Sequence, residues 1–271
     1  MSRFTDRNYL TQEQYKNSSN LDARVALHKQ FSTNPYGWFN FVFDELSTLP
    51  ANANVLEVGC GSGELWKECA SKIPMGWALT LTDLSEGMLD SAWRNLVVTG
   101  RNFKFEHADV QELPYSNKTF DAVIANHMLY HVPDRKKALK EIQRVLKDDG
   151  VLFAATLGQN HMREMWDLLE RVGNARRYIV TTGFSSENGG EQLQEFFPRV
   201  ELREYRDGLK VTDLAVMMAY IRSMSSTMDF QEETFQSVER EFAEIIEKNG
   251  EISIEKSAVL FKALKHGRSG F

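Results

Sequence analysis

Three glycines at alternate positions, Gly59, Gly61 and Gly63, are the pattern in this sequence that most directly suggests chemistry. They follow the apolar run Val55–Val58 and precede a helix-like segment, so the chain must turn sharply there and can let a ligand approach the backbone. The free N–H groups at the start of the following helix suit a negatively charged group. A glycine-rich turn without a ligand is the alternative, and the acids that follow in register argue against it.

Acidic residues around this loop indicate which ligand it would take. A dinucleotide site typically uses G-x-G-x-x-G to clear a pyrophosphate, whereas this loop is spaced G-x-G-x-G. Glu57 would repel a pyrophosphate but could accept hydrogen bonds from an ammonium group. Asp83 ends the second strand and could bind both ribose hydroxyls, while Asp109, with the Val110 N–H beside it, could recognise an adenine amino group. An adenosine that carries an amino acid is therefore predicted, which is S-adenosylmethionine.

Alternating strand-like and helix-like periods position these residues. Five strand-like segments occur at 55–58, 78–82, 103–105, 120–125 and 151–155, and helix-like stripes separate the outer ones. Ser85 is a candidate helix cap, Pro133 a candidate helix start and Gly150 a candidate helix end. This alternation predicts an α/β protein with a doubly wound, mostly parallel sheet.

The flanks of the sheet segment predict a leader and an inserted cap. Residues 1–48 are predicted to form an N-terminal helical leader or lid, with a helix from Leu21 to about Phe31. Residues 49–271 are predicted to form the α/β domain. Two further strands, at 200–204 and 251–261, bring the sheet to seven and suggest a terminal antiparallel pair. The helix-like stretches between them predict a helical cap insertion at about 211–248.

Composition limits the class of partner. The chain has 38 acidic and 32 basic residues, a net charge of −6, which disfavours nucleic-acid binding through bulk charge. Two cysteines provide neither a disulfide framework nor a four-cysteine zinc site, and the scattered histidines indicate no metal site. The first residues lack the apolar core of a signal peptide, and no apolar run is long enough to span a membrane. We therefore expect a cytoplasmic protein that binds no membrane, and homo-oligomerisation is left open.

Over five stretches between Val55 and about Thr156, the chain resembles class I S-adenosylmethionine-dependent methyltransferases of the small-molecule "type 11" group. These stretches are VLEVGCGSG (55–63), LTDLSEGML (81–89), HADVQELPY (107–115), FDAVIANHMLYHVPD (120–134) and EIQRVLKDDGVLF (141–153). The resemblance implies a Rossmann-like fold, S-adenosylmethionine as cofactor, S-adenosylhomocysteine as product and a small organic methyl acceptor. It also implies that Asn126 lies near the sulfonium. The cofactor-binding residues implied within these stretches are Glu57, Gly59, Cys60, Gly61, Gly63, Asp83, Leu84, Met88, Asp109, Val110 and Asn126.

The catalytic demands of such an enzyme are modest. Because a sulfonium methyl is already activated, the protein must mainly align the acceptor and exclude water. A base helps if the acceptor is a phenol, a hydroxyl or a carbon acid, and His127 and His131 are the candidates. The alternatives are that His131 only holds its loop, or that no base is used. Arg24 could pair with the cofactor carboxylate, and Tyr15 could close over the cofactor. The alternative is that Arg24 is a solvated arginine and Tyr15 a half-buried tyrosine.

Two other functions fit the same pattern less well. One is a nicotinamide-dependent oxidoreductase, against which Glu57 and the glycine spacing argue. The other is a non-catalytic protein that binds S-adenosyl ligands, because a fold does not determine a function. The tetrad Asn126-His-Met-Leu129 also differs from the Asn/Asp-Pro-Pro-aromatic motif of enzymes that methylate amino groups of bases. The choice among O-, N-, C- and S-methylation stays open.

Overall fold

A computed structural model describes residues 3–173, 183–224, 228 and 230–265 of the chain. Within these residues one seven-stranded sheet has the order β3-β2-β1-β4-β5-β7-β6. Strands β1 to β5 run parallel where they pair, and β7 is antiparallel to both β5 and β6. The predicted doubly wound, mostly parallel seven-stranded sheet is therefore confirmed. The strands are β1 Asn54–Val58, β2 Ala78–Asp83, β3 Phe103–His107, β4 Phe120–Asn126, β5 Leu146–Leu157, β6 Arg199–Val211 and β7 Ile252–Leu264.

Helices pack against both faces of the sheet. They are α1 Arg7–Tyr9, α2 Ser19–Phe31, α3 Trp38–Leu46, α4 Glu64–Glu68, α5 Glu86–Leu96, α6 Arg135–Val145, α7 Arg163–Gly173, α8 Gly189–Gln194, α9 Leu214–Ser223 and α10 Glu232–Asn249. The Ser85 side chain accepts a hydrogen bond from the backbone N–H of Met88, so this residue caps α5 as predicted. None of the described helices is long and apolar enough to cross a membrane.

Three boundaries differ from the sequence-based prediction. Helix α4 ends at Glu68 and a 3₁₀ turn continues it, where one longer helix was expected. Helix α6 ends at Val145, because Leu146 already pairs with Phe120 of β4, so Gly150 lies inside β5. Strand β6 continues to Val211 because it pairs with β7 over its whole length. For α6 and β6, long-range strand pairing decided the boundary that local signals misplaced.

The leader and the cap insertion share one apolar cluster. Leu27 of α2, Met217 and Ile221 of α9 and Val238 of α10 are fully buried within it. This contact places α9 beside the leader on one flank of the sheet. The division into a leader (1–48) and an α/β domain (49–271) stays a prediction. The insertion at 211–248 is described except for residues 225–227 and 229.

Candidate cofactor and acceptor site

A cavity of about 690 Å³ opens across the carboxyl ends of β1, β2 and β4 and extends to β6 and β7. This is the edge where parallel α/β sheets bind ligands, and the volume suits a small-molecule site. All but one of the residues predicted from the sequence line it: Tyr15, Arg24, Glu57, Gly59, Cys60, Gly61, Asp83, Leu84, Met88, Asp109, Val110, Asn126, His127 and His131.

Gly63 is the exception, and it has a different role from Gly59. Both have positive φ, +76° and +67°. A Cβ on Gly59 would lie 2.9 Å from the Cβ of Met128, which faces the cavity. A Cβ on Gly63 would instead lie 2.9 Å from Cδ1 of the buried Leu96, and the residue caps α4. The absence of a side chain at Gly59 therefore leaves space beside Met128 in the cavity wall, whereas at Gly63 it lets α4 pack against α5.

Glu57 lies at the base of the cavity and is 2% exposed. Its Oε2 accepts a hydrogen bond of 2.6 Å from Nε1 of Trp66 on α4. Burial raises the pKa of Glu57 to about 8, with a smaller contribution from the charge of Asp83, although the bond from Trp66 favours the ionised form. The carboxyl is therefore mostly protonated at pH 7 in the ligand-free protein, and is not the anion that the sequence predicts.

Asp83 is held in place by the loop that it faces. Its Oδ2 accepts from the backbone N–H of Gly61 and its Oδ1 from that of Ser85, each at 2.9 Å. Burial raises the pKa of Asp83, partly opposed by these hydrogen bonds. Because each oxygen has a second lone pair, the carboxylate can also accept from the two hydroxyls of a ribose.

Asp109 has a partner that the sequence did not reveal. Its carboxylate accepts from the backbone N–H of Gln111 at 2.9 Å and from the side chain of the same residue. The guanidinium of Arg7 on α1 forms an ion pair with its other oxygen. The leader thus contacts the carboxylate that was predicted to recognise adenine.

Tyr15 and Arg24 close the leader over the cavity. The carbonyl of Tyr15 accepts from Oγ of Ser85 at 2.6 Å, and its hydroxyl lies 3.1 Å from Nε2 of His131. Arg24 donates to the same hydroxyl at 3.2 Å, and to Oγ and the carbonyl of Ser223 at 3.1 and 3.0 Å. Arg24 is therefore not a solvated arginine, and Tyr15 joins it to His131.

His127 occupies a constrained position directly after β4. Its φ is +55°, a conformation uncommon for a residue other than glycine. Its ring centroid lies 5.0 Å from that of Trp38, which donates from Nε1 to Oδ1 of Asn126 at 3.3 Å. Burial, together with the charge of Lys256, lowers the pKa of His127 to about 4. The imidazole is therefore neutral at pH 7 and a weaker base than a solvent-exposed histidine.

Sequence reasoning missed a polar group at the far end of the cavity, formed by His28, His161, Asp207 and Lys256. Lys256 of β7 pairs with Asp207 of β6 at 2.5 Å, and the two residues lie opposite each other in the β6–β7 register. Asp207 and Lys256 are isolated charges in the sequence, and nothing near either of them indicates that they pair. The register of the two strands is what brings them together.

The comparisons with known proteins agree with this geometry. A family profile described as a methyltransferase domain matches residues 56–154. The ubiquinone/menaquinone biosynthesis C-methyltransferase UbiE of Rickettsia felis is 38% identical over 104 residues, 36% of this chain and 42% of that protein. A demethylmenaquinone methyltransferase of Lactobacillus johnsonii is 34% identical over 146 residues, 50% of this chain and 58% of that protein. The chain thus spans about half the length of the curated relatives that it matches.

Solved structures show the same fold at low identity. The [4+2]-cyclase SpnF superposes with a TM-score of 0.63 at 17% identity, covering 96% of this chain and 97% of that one. A phosphoethanolamine N-methyltransferase 2 from Haemonchus contortus, solved with S-adenosylhomocysteine, gives 0.57 at 18% identity, covering 97% of this chain and 60% of that one. Residues 56–154, which hold most of the five matching stretches and border the cavity, therefore match a methyltransferase domain.

Proposed function

We propose that the whole chain is an enzyme that transfers the methyl group of S-adenosylmethionine to a small organic acceptor. The observation that supports this most directly is that the glycine loop, Asp83 and Asp109 line one cavity with the leader residues Tyr15 and Arg24. Residues of three strand ends and of the leader would thereby provide partners for the adenine amino group, the ribose hydroxyls, the ammonium and the carboxylate of the cofactor. An oxidoreductase is not favoured, because the loop spacing and the relatives both indicate methyl transfer.

The residues present fit the cofactor. Asp83 would bind the ribose, and Gly59 leaves the space that the methionine part needs. The ammonium group would meet Glu57, and the carboxylate would meet the guanidinium of Arg24, which has no carboxylate partner among the described residues. When bound, the cofactor supplies a sulfonium-activated methyl group that the acceptor displaces in line. Its thioether product would be S-adenosylhomocysteine.

The leader controls access to the adenine position. Arg7 pairs with Oδ2 of Asp109, and Gln111 donates to both oxygens of the same carboxylate. An adenine amino group would therefore take the place of Arg7 on this carboxylate. The side chain of Arg7 would have to move for adenine to bind, while the bond between Tyr15 and Ser85 can hold the later part of the leader in place.

Between the two candidate bases we favour His131. Because Arg24 donates to the oxygen of Tyr15, the tyrosine hydroxyl can donate to Nε2 of His131. This arrangement orients the His131 ring at the cavity wall, and Nε2 could accept a proton when Tyr15 no longer donates to it. His127, with its pKa lowered to about 4, is better suited to orient the acceptor than to deprotonate it.

Calorimetric titration with S-adenosylmethionine, S-adenosylhomocysteine and NAD⁺ tests the proposed cofactor. We expect the two sulfur ligands to bind and NAD⁺ not to bind. Gly59→Arg should abolish binding, because the side chain would fill the cavity beside Met128. Gly100→Arg is the matched control, since Gly100 has a similar φ of +68° but nothing within 4 Å of an added Cβ. Binding of NAD⁺ alone, or equal binding by both variants, would refute the assignment.

A panel of methyl acceptors then tests for turnover. Incubation with S-adenosylmethionine carrying a labelled methyl group, followed by detection of the labelled product, covers oxygen, nitrogen, carbon and sulfur acceptors together. The curated relatives are named as acting in quinone biosynthesis, so phenols and hydroquinones belong in the panel. Cofactor binding without turnover of any acceptor would favour a non-catalytic binding protein.

A further inference from the structure

The cavity divides into two halves along the sheet. Asp83 and Asp109, the residues proposed to bind adenosine, lie at the ends of β2 and just beyond β3. The opposite half lies over β6 and β7, where Lys256 and His161 line the wall. If the cofactor binds as proposed, this second half is the space left for the acceptor.

Lys256 presents a buried positive charge to this half. Its side chain is 8% exposed and that of its partner Asp207 is 1% exposed. Asp207 also accepts from Oγ of Ser32 at 2.5 Å, from the N–H of Asn34 at 3.0 Å and from the N–H of Gly208 at 2.8 Å. Oγ1 of Thr33 donates to it as well, at 3.3 Å, so five donors including the ammonium share this carboxylate. The ammonium has three N–H groups, and Asp207 accounts for the one hydrogen bond that it makes among the described residues.

His161 adds a second donor beside this lysine. Its Nδ1 accepts a hydrogen bond of 3.2 Å from the N–H of Ser257, so Nε2 carries the proton of the neutral ring. The ring of His28 lies 6.3 Å away, and its Nδ1 is buried without a partner among the described residues. Burial and the charge of Lys256 lower the pKa values of both histidines, to about 3 for His161. The ammonium of Lys256 and the proton on Nε2 of His161 are therefore the hydrogen-bond donors that these two residues offer to this half.

We propose that this end of the cavity binds an anionic oxygen group of the methyl acceptor, a carboxylate or a phosphate, through Lys256 and His161. The inference rests on the proposed function for the identity of the acceptor, but the anion site itself does not depend on it. Charge-assisted hydrogen bonds of this kind are among the stronger ones in proteins.

An aromatic wall indicates the rest of the acceptor. Trp38 lies 5.0 Å from the ring of His127 and 5.5 Å from that of Tyr205. The wall extends from His127, in the turn after β4, to Tyr205 of β6, which precedes Asp207 by two residues. The acceptor would therefore have a flat apolar body between an anionic end and the atom that receives the methyl group.

Acetate and inorganic phosphate are probes small enough to enter without matching the whole acceptor. We would titrate each into the protein, with and without saturating S-adenosylhomocysteine, and follow the imidazole signals of ¹⁵N-labelled histidines by NMR. Saturable shifts of His161 and His28 are expected, beyond those caused by sodium chloride at the same ionic strength. The preference between the two anions would identify the group as a carboxylate or a phosphate.

Two variants and a control make this test specific. Lys256→Gln can still donate to Asp207 and should weaken anion binding at least tenfold, because the ligand loses its charged partner. His161→Asn can still accept from Ser257 and should also weaken binding. Lys262→Gln is the control, because Lys262 lies in the same strand and pairs with Glu45 outside the cavity.

Absence of saturable shifts, or equal affinity in Lys256→Gln and Lys262→Gln, would overturn the inference. Failure of S-adenosylhomocysteine to bind would instead refute the proposed function. The two failures are distinguishable because the anion titration is also performed without the cofactor product.

Discussion

Ionisation of Glu57 should make cofactor binding depend on pH. The carboxyl has a pKa of about 8 in the ligand-free protein, so about one tenth of it is ionised at pH 7. The cofactor ammonium would require the ionised form. The association constant for S-adenosylhomocysteine should therefore rise about tenfold per pH unit between pH 6 and 7.5, about 1.4 kcal/mol per unit, and level off above about 8.

Isothermal titration calorimetry measures this dependence directly. Near pH 6.5, repeating the titration in buffers with different ionisation enthalpies should show release of about one proton per ligand bound. The control is Glu57→Gln, whose amide oxygen can still accept from Nε1 of Trp66. This variant should bind with an affinity that does not change over the same range. A pH-independent affinity of the unmodified protein, or the same slope in both proteins, would refute the reasoning.

The same carboxyl affects the stability of the ligand-free protein. Since burial raises its folded-state pKa above the ordinary value of 4.5 to about 8, Glu57 stabilises the fold fully below the ordinary value. That contribution is lost as the pH rises through about 8, on the order of a few kcal/mol in free energy of unfolding. Urea denaturation at pH 5 and pH 8.5 should show a larger loss for the unmodified protein than for Glu57→Gln, and equal losses would contradict this account.

Three further predictions concern the loop, the leader and the base. Gly63→Ala should lower the free energy of unfolding in urea by about 2–3 kcal/mol, since it adds backbone strain and a close contact, whereas Gly100→Ala should cost only the strain, about 1 kcal/mol. A larger effect of the second variant would show the packing argument to be wrong. Arg7→Gln should speed association of S-adenosylhomocysteine several-fold in stopped-flow measurements, and slower association would mean that this arginine helps to bind the ligand. With an acceptor in hand, His131→Asn should lower kcat at least about a hundredfold, while His127→Asn should lower it less. The reverse order would assign the base to His127.

Much of the fold, and the meeting of the candidate cofactor residues at one cavity, could be predicted from the sequence because the signals are local. The apolar run before Gly59, the cap at Ser85 and the acids Asp83 and Asp109 each lie within a few residues of the turn that they define. Parallel strands bring their carboxyl ends to one edge, so residues far apart in sequence could be placed together. Boundaries such as Gly150 were missed because pairing with another strand overrode the local signal.

Only the tertiary structure decided how the leader and the acceptor half are built. The pairs Arg7–Asp109, Tyr15–His131 and Lys256–Asp207 join residues separated by 102, 116 and 49 positions. No local pattern specifies which face of the leader meets the sheet, or the register in which β6 pairs with β7. The ionisation of Glu57 and His127 likewise depends on burial by distant elements, because desolvation is a property of the folded environment and not of the residue type.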